Sequence, residues 1–166
     1  ERSGTGSSRK IPLFVKRWIK WIGTGFGSGF VPKFPGSSGT LVGCALWWFM
    51  KDLPLGIYVL LLAVAFPIGA WICAQNEEFF ARKDAPNIVI DEILAFPLAM
   101  LLVPATRLTI LLGYLVFRLF DIIKPYPCKR VEALPRGYGV MADDYVAALY
   151  TCLTLHGINF LIPLFA

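Results

Sequence analysis

Histidine is nearly missing from this 166-residue chain; His156 is the only one. It lies in the last apolar stretch, away from the charged clusters described below, where packing is its expected role. Cysteine is sparse as well. Cys44, Cys73, Cys128 and Cys152 form no CxxC pair, and three of them lie in apolar runs. Neither a disulfide framework nor a zinc site is indicated. No cysteine is followed six residues later by arginine, so there is no cysteine-phosphatase loop, and Cys128 in its polar loop reads as an unreactive thiol. Charge is the third shortage. Only 16% of residues are charged, against about 25% in soluble domains. With 57% hydrophobic residues and a mean hydropathy of +0.64, the chain reads as an integral membrane protein. Its pI near 9.1 suits anionic lipid headgroups. The basic residues fall in short loops between apolar runs, which argues against nucleic acid as a partner.

The most informative stretch is Arg118 to Asp144, R-L-F-D-I-I-K-P-Y-P-C-K-R-V-E-A-L-P-R-G-Y-G-V-M-A-D-D. It leaves one apolar run, crosses a basic loop and enters another through two adjacent aspartates. If Leu108 to Lys124 is helical, Arg118, Asp121 and Lys124 lie on or near one face. Pro125 and Pro127 then stop the helix. Ionisable groups within a hydrophobic segment are costly unless paired, hydrated or bound, so this stretch is a candidate site on physical grounds alone.

In chain order, residues 1–10 read as a disordered tail or expression remnant, and 11–166 as one membrane-embedded domain. Ile11 to Ile22 mixes aromatic and aliphatic residues with Lys16, Arg17 and Lys20, and predicts an amphipathic helix lying at the membrane surface. Gly23 to Gly43 carries seven glycines with Pro32 and Pro35, a density that predicts no regular helix through Gly39. Such backbone must be buried or line a wet cavity, and its amides suit phosphate. Gly27, Ser28, Gly36 and Thr40 are the candidate substrate contacts there, although no Walker loop is present. Leu41 to Met50 is a short apolar segment. Leu53 to Gln75 is an uncharged span with a kink expected at Pro67. Asn76 to Asn87 is polar, and Glu77, Glu78, Arg82, Lys83 and Asp84 read as a solvated face. Ile88 to Pro104 and Leu108 to Lys124 are the next two spans. Asp143 or Asp144 is expected to cap a last helix that runs to about Ala166. The fold class is therefore an all-α, polytopic membrane bundle with about four full spans and a short or re-entrant first segment.

Basic residues fix an expected topology. With the N-terminus in the cytoplasm, thirteen Lys and Arg lie in inside segments, only Lys51 and Arg107 lie outside, and Arg118 is within a span. Asp91, Glu92, Asp121, Lys124, Asp143, Asp144 and the glycine-rich segment then sit at the cytoplasmic ends of their helices. Clustered carboxylates repel, so several in one place imply a bound cation or raised pKa values. Oxygen ligands without His or Cys favour Mg²⁺, completed by water and phosphate. Asp91, Glu92, Asp121, Asp143 and Asp144 are thus the candidate metal ligands and catalytic carboxylates. Arg118 and Lys124, with Lys129 or Arg130, are placed to hold phosphate oxygens. On residues alone, two other classes stay open: a small ion or anion transporter, and a non-catalytic membrane scaffold. Against transport, the charges gather at one face and no internal repeat is visible.

Four segments resemble the phosphatidylglycerophosphatase A family of bacterial membrane phosphatases. They are G-T-G-F-G-S-G-F-V-P-K-F-P-G-S-S-G-T (Gly23–Thr40), I-V-I-D-E-I (Ile88–Ile93), F-R-L-F-D-I-I-K-P-Y-P (Phe117–Pro127) and G-Y-G-V-M-A-D-D-Y-V-A (Gly137–Ala147). They occur in the family's order. The resemblance implies Mg²⁺-dependent removal of the terminal phosphate of phosphatidylglycerophosphate, giving phosphatidylglycerol, at the cytoplasmic side of the bacterial inner membrane. It carries the family's acidic positions onto Asp91, Glu92, Asp121, Asp143 and Asp144, and its basic ones onto Arg118 and Lys124. It also implies glycines where this chain has Ala95 and Ala148, changes that bear on helix packing rather than ligands. The motifs of neighbouring lipid enzymes are missing. There is no D-G-x-x-A-R of CDP-alcohol phosphotransferases, and a single histidine cannot supply the motifs of type-2 phosphatidic acid phosphatases.

Overall fold

A computed structural model describes residues 12–161. The expected N-terminal tail and the last five residues lie outside that range. The described residues form seven α-helices and one 3₁₀ segment, with no strand. Helix α1 (Leu13–Gly23) is amphipathic as expected: Leu13, Phe14, Trp18 and Trp21 face outward, while Ile19 is buried. It is tied to α3 (Leu55–Phe80), where buried Asn76 donates from Nδ2 to Ile19 O at 3.1 Å and to Ile72 O at 2.9 Å. That anchoring explains why α3 continues to Phe80, through residues whose polarity predicts a loop. Ala81, in the left-handed region, ends it.

The glycine-rich stretch divides into two parts. Gly25–Phe30 is a 3₁₀ segment broken by positive φ at Phe26 and Gly27. From Pro35, however, a regular helix α2 (Pro35–Met50) forms, against the expectation of none before Gly39. Proline is favourable at a helix start. The glycines in α2 are needed for close approach instead: a Cβ on Gly39 would lie 2.7 Å from Val89 Cβ, and one on Gly43 2.8 Å from Phe96 Cβ.

Both of those neighbours belong to, or directly precede, α4 (Ile90–Ala99), the central element. Residues Ile88–Pro104 read as a full span, but only ten of them are helical, about 15 Å of rise. Pro97 lies near the helix end, and the chain then turns through Leu102 at φ 58°. Helices α2, α3, α5 (Arg107–Ile123) and α7 (Gly137–Leu161) all pack on α4. Phe96 meets Phe117 of α5 edge-on at 5.8 Å, and both are fully buried. Ala95 and Ala148 are also fully buried in this core, consistent with a packing role. Of the four full spans expected, the described helices include one, α3, that is long and apolar enough to cross a membrane by itself.

Helix α5 starts at Thr106, whose capping box with Thr109 satisfies the first-turn amides. It ends at Lys124 in the left-handed region. Leu108, Leu111, Leu115, Leu119 and Ile122 form an exposed apolar stripe along it. A four-residue helix α6 (Cys128–Val131) follows. Helix α7 begins at Gly137 rather than at an aspartate cap, so Asp143 and Asp144 lie about two turns inside the helix. The expected N-cap role is not theirs. Tight packing places the start: a Cβ on Gly137 would lie 2.1 Å from Ala70 O of α3.

Candidate active site

The starts of α2 and α4, the end of α5 and the second turn of α7 meet at one end of the bundle. Between them is a cavity of about 270 Å³ lined by Asp84, Asp91, Glu92, Asp121, Asp143, Asp144, Lys33, Arg118 and Lys124, together with the first turn of α2. Five of these are the carboxylates expected from the sequence, drawn from three helices. Asp91, Glu92, Asp143 and Asp144 are all less than 10% exposed. Burying so many carboxylates is unfavourable without compensation, and two compensating cations are visible.

Arg118 Nη1 lies 2.7 Å from Asp121 Oδ2 and 3.3 Å from Glu92 Oε1, joining α5 to α4. Lys124 Nζ lies 2.5 Å from Asp143 Oδ2 and 3.3 Å from Glu132 Oε2, joining α5 to α7 and α6. Burial, reinforced by Asp143, pushes the Cys128 thiol up, which keeps it an unreactive thiol.

Not every sequence candidate reaches the cavity. Gly36 does: a Cβ there would lie 2.3 Å from Glu92 Oε1 and 2.9 Å from Arg118 Nη1. Thr40 is buried one turn further along α2, where its hydroxyl donates to Gly36 O at 3.0 Å. Gly27 lines a separate small cavity with Arg17, Lys20 and Trp21. Ser28 accepts at its carbonyl a 2.6 Å hydrogen bond from Ser38 Oγ, and so braces the loop. Lys129 and Arg130 are exposed outside the cavity, with Arg130 donating to Tyr126 Oη at 2.7 Å. His156 is 2.9 Å from Leu101 O, beyond the opposite end of α4.

Three charged residues were missed or misread. Asp84 reads as solvated face in the sequence but lines the cavity; Lys33 lies inside the Gly23–Thr40 segment but was not singled out, and Glu132 carries no motif signal beyond its charge. Asp84, Lys33 and Lys124 share one feature, a positive φ (48°, 73° and 48°). Non-glycine residues in that region are uncommon and collect at functional sites. A larger groove of about 830 Å³ lies between α3 and the start of α7, but the only carboxylates lining it are Glu77 and Glu78.

A family model described as phosphatidylglycerophosphatase A matches residues 21–159. That span includes every charged residue of the cavity. The chain belongs to this family. A phosphatidylglycerophosphatase A of Haemophilus influenzae is 32% identical, covering 86% of this chain and 89% of the relative. The Escherichia coli protein of the same name is 30% identical, covering 86% and 84%. A Bacteroides thetaiotaomicron relative, 32% identical over 81% of this chain and 89% of its own length, is named "Putative phosphatidylinositol-3-phosphatase". No solved structure matches.

The phosphatidylglycerophosphatase A resemblance implies Mg²⁺, and the cavity can be tested for fit. Asp91 Oδ1 and Glu92 Oε2 are buried oxygens with no hydrogen-bond partner, and Arg118 Nε is a buried donor with none. Six carboxylates face three cations around one cavity. Unpartnered acceptors beside an unpartnered donor suit a cation together with an anion. Among the described residues, no three His, Cys, Asp or Glu side chains enclose an ion by themselves. Mg²⁺ does not need that, because it is usually held by one or two carboxylates, waters and substrate phosphate. The donor set therefore fits.

Proposed function

We propose that this chain is a Mg²⁺-dependent lipid phosphatase that hydrolyses phosphatidylglycerophosphate to phosphatidylglycerol and phosphate in glycerophospholipid biosynthesis. The observation that carries the proposal is the cavity in which Asp91, Glu92, Asp121, Asp143 and Asp144, four of them buried, face Arg118 and Lys124. Family membership supports the reaction class. Residues 11–166 act as one membrane-embedded domain of several passes, with the cavity at the cytoplasmic rim of the inner membrane.

Asp121 and Asp143 are engaged by Arg118 and Lys124, so they hold the two cations in place. Asp91 and Glu92, with unpartnered oxygens, and the adjacent Asp144 are the groups that hold Mg²⁺. When bound, the ion neutralises phosphate charge and lowers the pKa of a coordinated water. Arg118, fixed from both sides and with Nε free, receives the terminal phosphate. Lys124 adds a second cation, and the uncapped first turn of α2 presents backbone amides to the anion. Either a carboxylate of the cluster takes a proton from the water that attacks phosphorus, the ester P–O bond breaks and the phosphatidylglycerol oxygen leaves and is protonated; or a carboxylate attacks phosphorus, displaces the same oxygen and forms an acyl phosphate that water then hydrolyses.

Phosphate release from phosphatidylglycerophosphate by purified protein in detergent tests the reading. Release is expected with Mg²⁺ and is abolished by excess EDTA. An Asp143→Asn/Asp144→Asn double variant is expected to lose at least roughly 100-fold in rate. Full activity in EDTA would overturn the metal assignment, and no release by folded protein supplied with lipid would overturn the reaction.

A further inference from the structure

The substrate proposed above carries two phosphates, a terminal monoester that is removed and a diester that stays with the lipid. Arg118 and Lys124, the cations deep in the cavity, are both held by carboxylates. The third cation differs in every respect. Lys33 lies on the loop between the 3₁₀ segment and α2, is exposed, and forms no ion pair within the described residues, yet it lines the same cavity. The chain entering the loop that holds it is braced. Pro32 and Pro35 bracket it, Ser38 Oγ donates to Ser28 O at 2.6 Å, and Asn87 Nδ2 donates to Gly29 O at 3.0 Å. Phe30, Val31 and Phe34 beside Lys33 are all exposed. An exposed cation at the cavity, with exposed apolar side chains beside it, suits a phosphate that is attached to acyl chains and lies next to the reacting monoester.

Resting on the lipid-phosphatase reading, we infer that Lys33 binds the diester phosphate and so selects lipids carrying a phosphodiester behind the reacting monoester. It is a specificity residue, one step removed from the bond that breaks. The two products separate its role from that of the deeper cations, because phosphatidylglycerol keeps only the diester and inorganic phosphate only the former monoester.

The experiment measures hydrolysis in zwitterionic mixed micelles, with each product added as inhibitor, for wild type, Lys33→Gln and Lys33→Arg. An Arg82→Gln variant, exposed and outside the cavity, controls for general surface charge. Lys33→Gln is expected to raise KM for the lipid and the inhibition constant of phosphatidylglycerol roughly 10-fold. Its kcat and the inhibition constant of inorganic phosphate stay within about 2-fold, a lost single contact being far smaller than loss of the reacting-phosphate site. Lys33→Arg restores wild-type values. If both inhibition constants rise together, or neither moves, or Arg82→Gln behaves identically, the inference is overturned. If the wild type releases no phosphate, the reaction reading fails, and direct binding of phosphatidylglycerol to wild type and Lys33→Gln still decides the role of Lys33.

Discussion

Arg118 touches Glu92 on α4 and Asp121 on its own helix, so it positions a binding group and links two helices at once. Asp91 makes no such link; its Oδ1 is buried and unpartnered. The two aspartates should therefore fail differently. Asp91→Asn is expected to raise the Mg²⁺ concentration for half-maximal activity about 10-fold or more, a loss of at least about 1.4 kcal/mol in metal binding. Asp121→Asn frees Arg118 and is expected to raise KM for the lipid with a smaller effect on Mg²⁺ dependence. Mg²⁺ titrations at fixed lipid, and lipid titrations at saturating Mg²⁺, distinguish them; identical profiles would refute the division of labour. Gly36 makes a sharper case. A methyl there would sit 2.3 Å from Glu92 Oε1, at a helix start where alanine is otherwise welcome. Gly36→Ala is expected to cut kcat/KM by roughly 100-fold while thermal unfolding shifts little, since the displaced groups are the Glu92 and Arg118 side chains rather than the core. A large drop in melting temperature with intact kcat/KM would contradict this.

At the level of elements, α5 shows two faces with opposite roles. Phe117 is fully buried against Phe96, whereas Leu115 is more than half exposed on the outer stripe. Phe117→Ala is expected to destabilise the detergent-solubilised protein by about 3–5 kcal/mol, and Leu115→Ala by less than about 1 kcal/mol. Thermal unfolding of the two variants under one condition checks the contrast. This helix was also the most legible in the sequence. Its boundaries, the Arg118–Asp121 pair and the stop at Pro125 follow from local spacing. The other elements were less legible because their limits are set by partners distant in sequence. Helix α7 starts at Gly137 because only glycine fits against Ala70 O, and α2 tolerates its glycines because they admit Val89 and Phe96. Helix α3 overruns its apolar stretch because Asn76 is held by α1. The carboxylate quintet could be named from its motifs, but the lining by Asp84 and Lys33 depends on loop backbone in left-handed conformations, which an aspartate only weakly favours and a lysine does not.

For the whole molecule, the arrangement of apolar surface bears on the membrane setting proposed above. Large side chains point outward along α3 (Leu55, Leu60, Ile68, Trp71), α5 (Leu108 to Ile122) and α7 (Leu149, Leu153, Phe160), while the buried end cavity holds the charges. Exposed apolar surface on this scale marks a lipid or partner interface. The short α4 is wrapped by other helices, while the chain that follows it is only partly covered: Val103 is buried, but Leu102 is exposed at the end opposite the cavity. The polarity of the helices then fixes what each side presents. The α2–α3 turn, with Lys51 and Asp52, belongs to the end opposite the cavity, and α6 to the cavity end. A multi-pass protein with a cytoplasmic site must expose these two turns on different sides of the membrane. Asp52→Cys is expected to react with an impermeant maleimide in intact spheroplasts, and Lys129→Cys only in inverted vesicles, both measured against the background labelling of the unsubstituted chain. Asp52 is chosen because its side chain is 83% exposed, and Lys129 because it is exposed and lies outside the cavity. Labelling of both from the same side would reject the multi-pass arrangement and leave a bundle resting on one surface. The reversed pattern would keep the passes but move the cavity to the outer side, away from cytoplasmic Mg²⁺ and from a lipid phosphate presented in the inner leaflet.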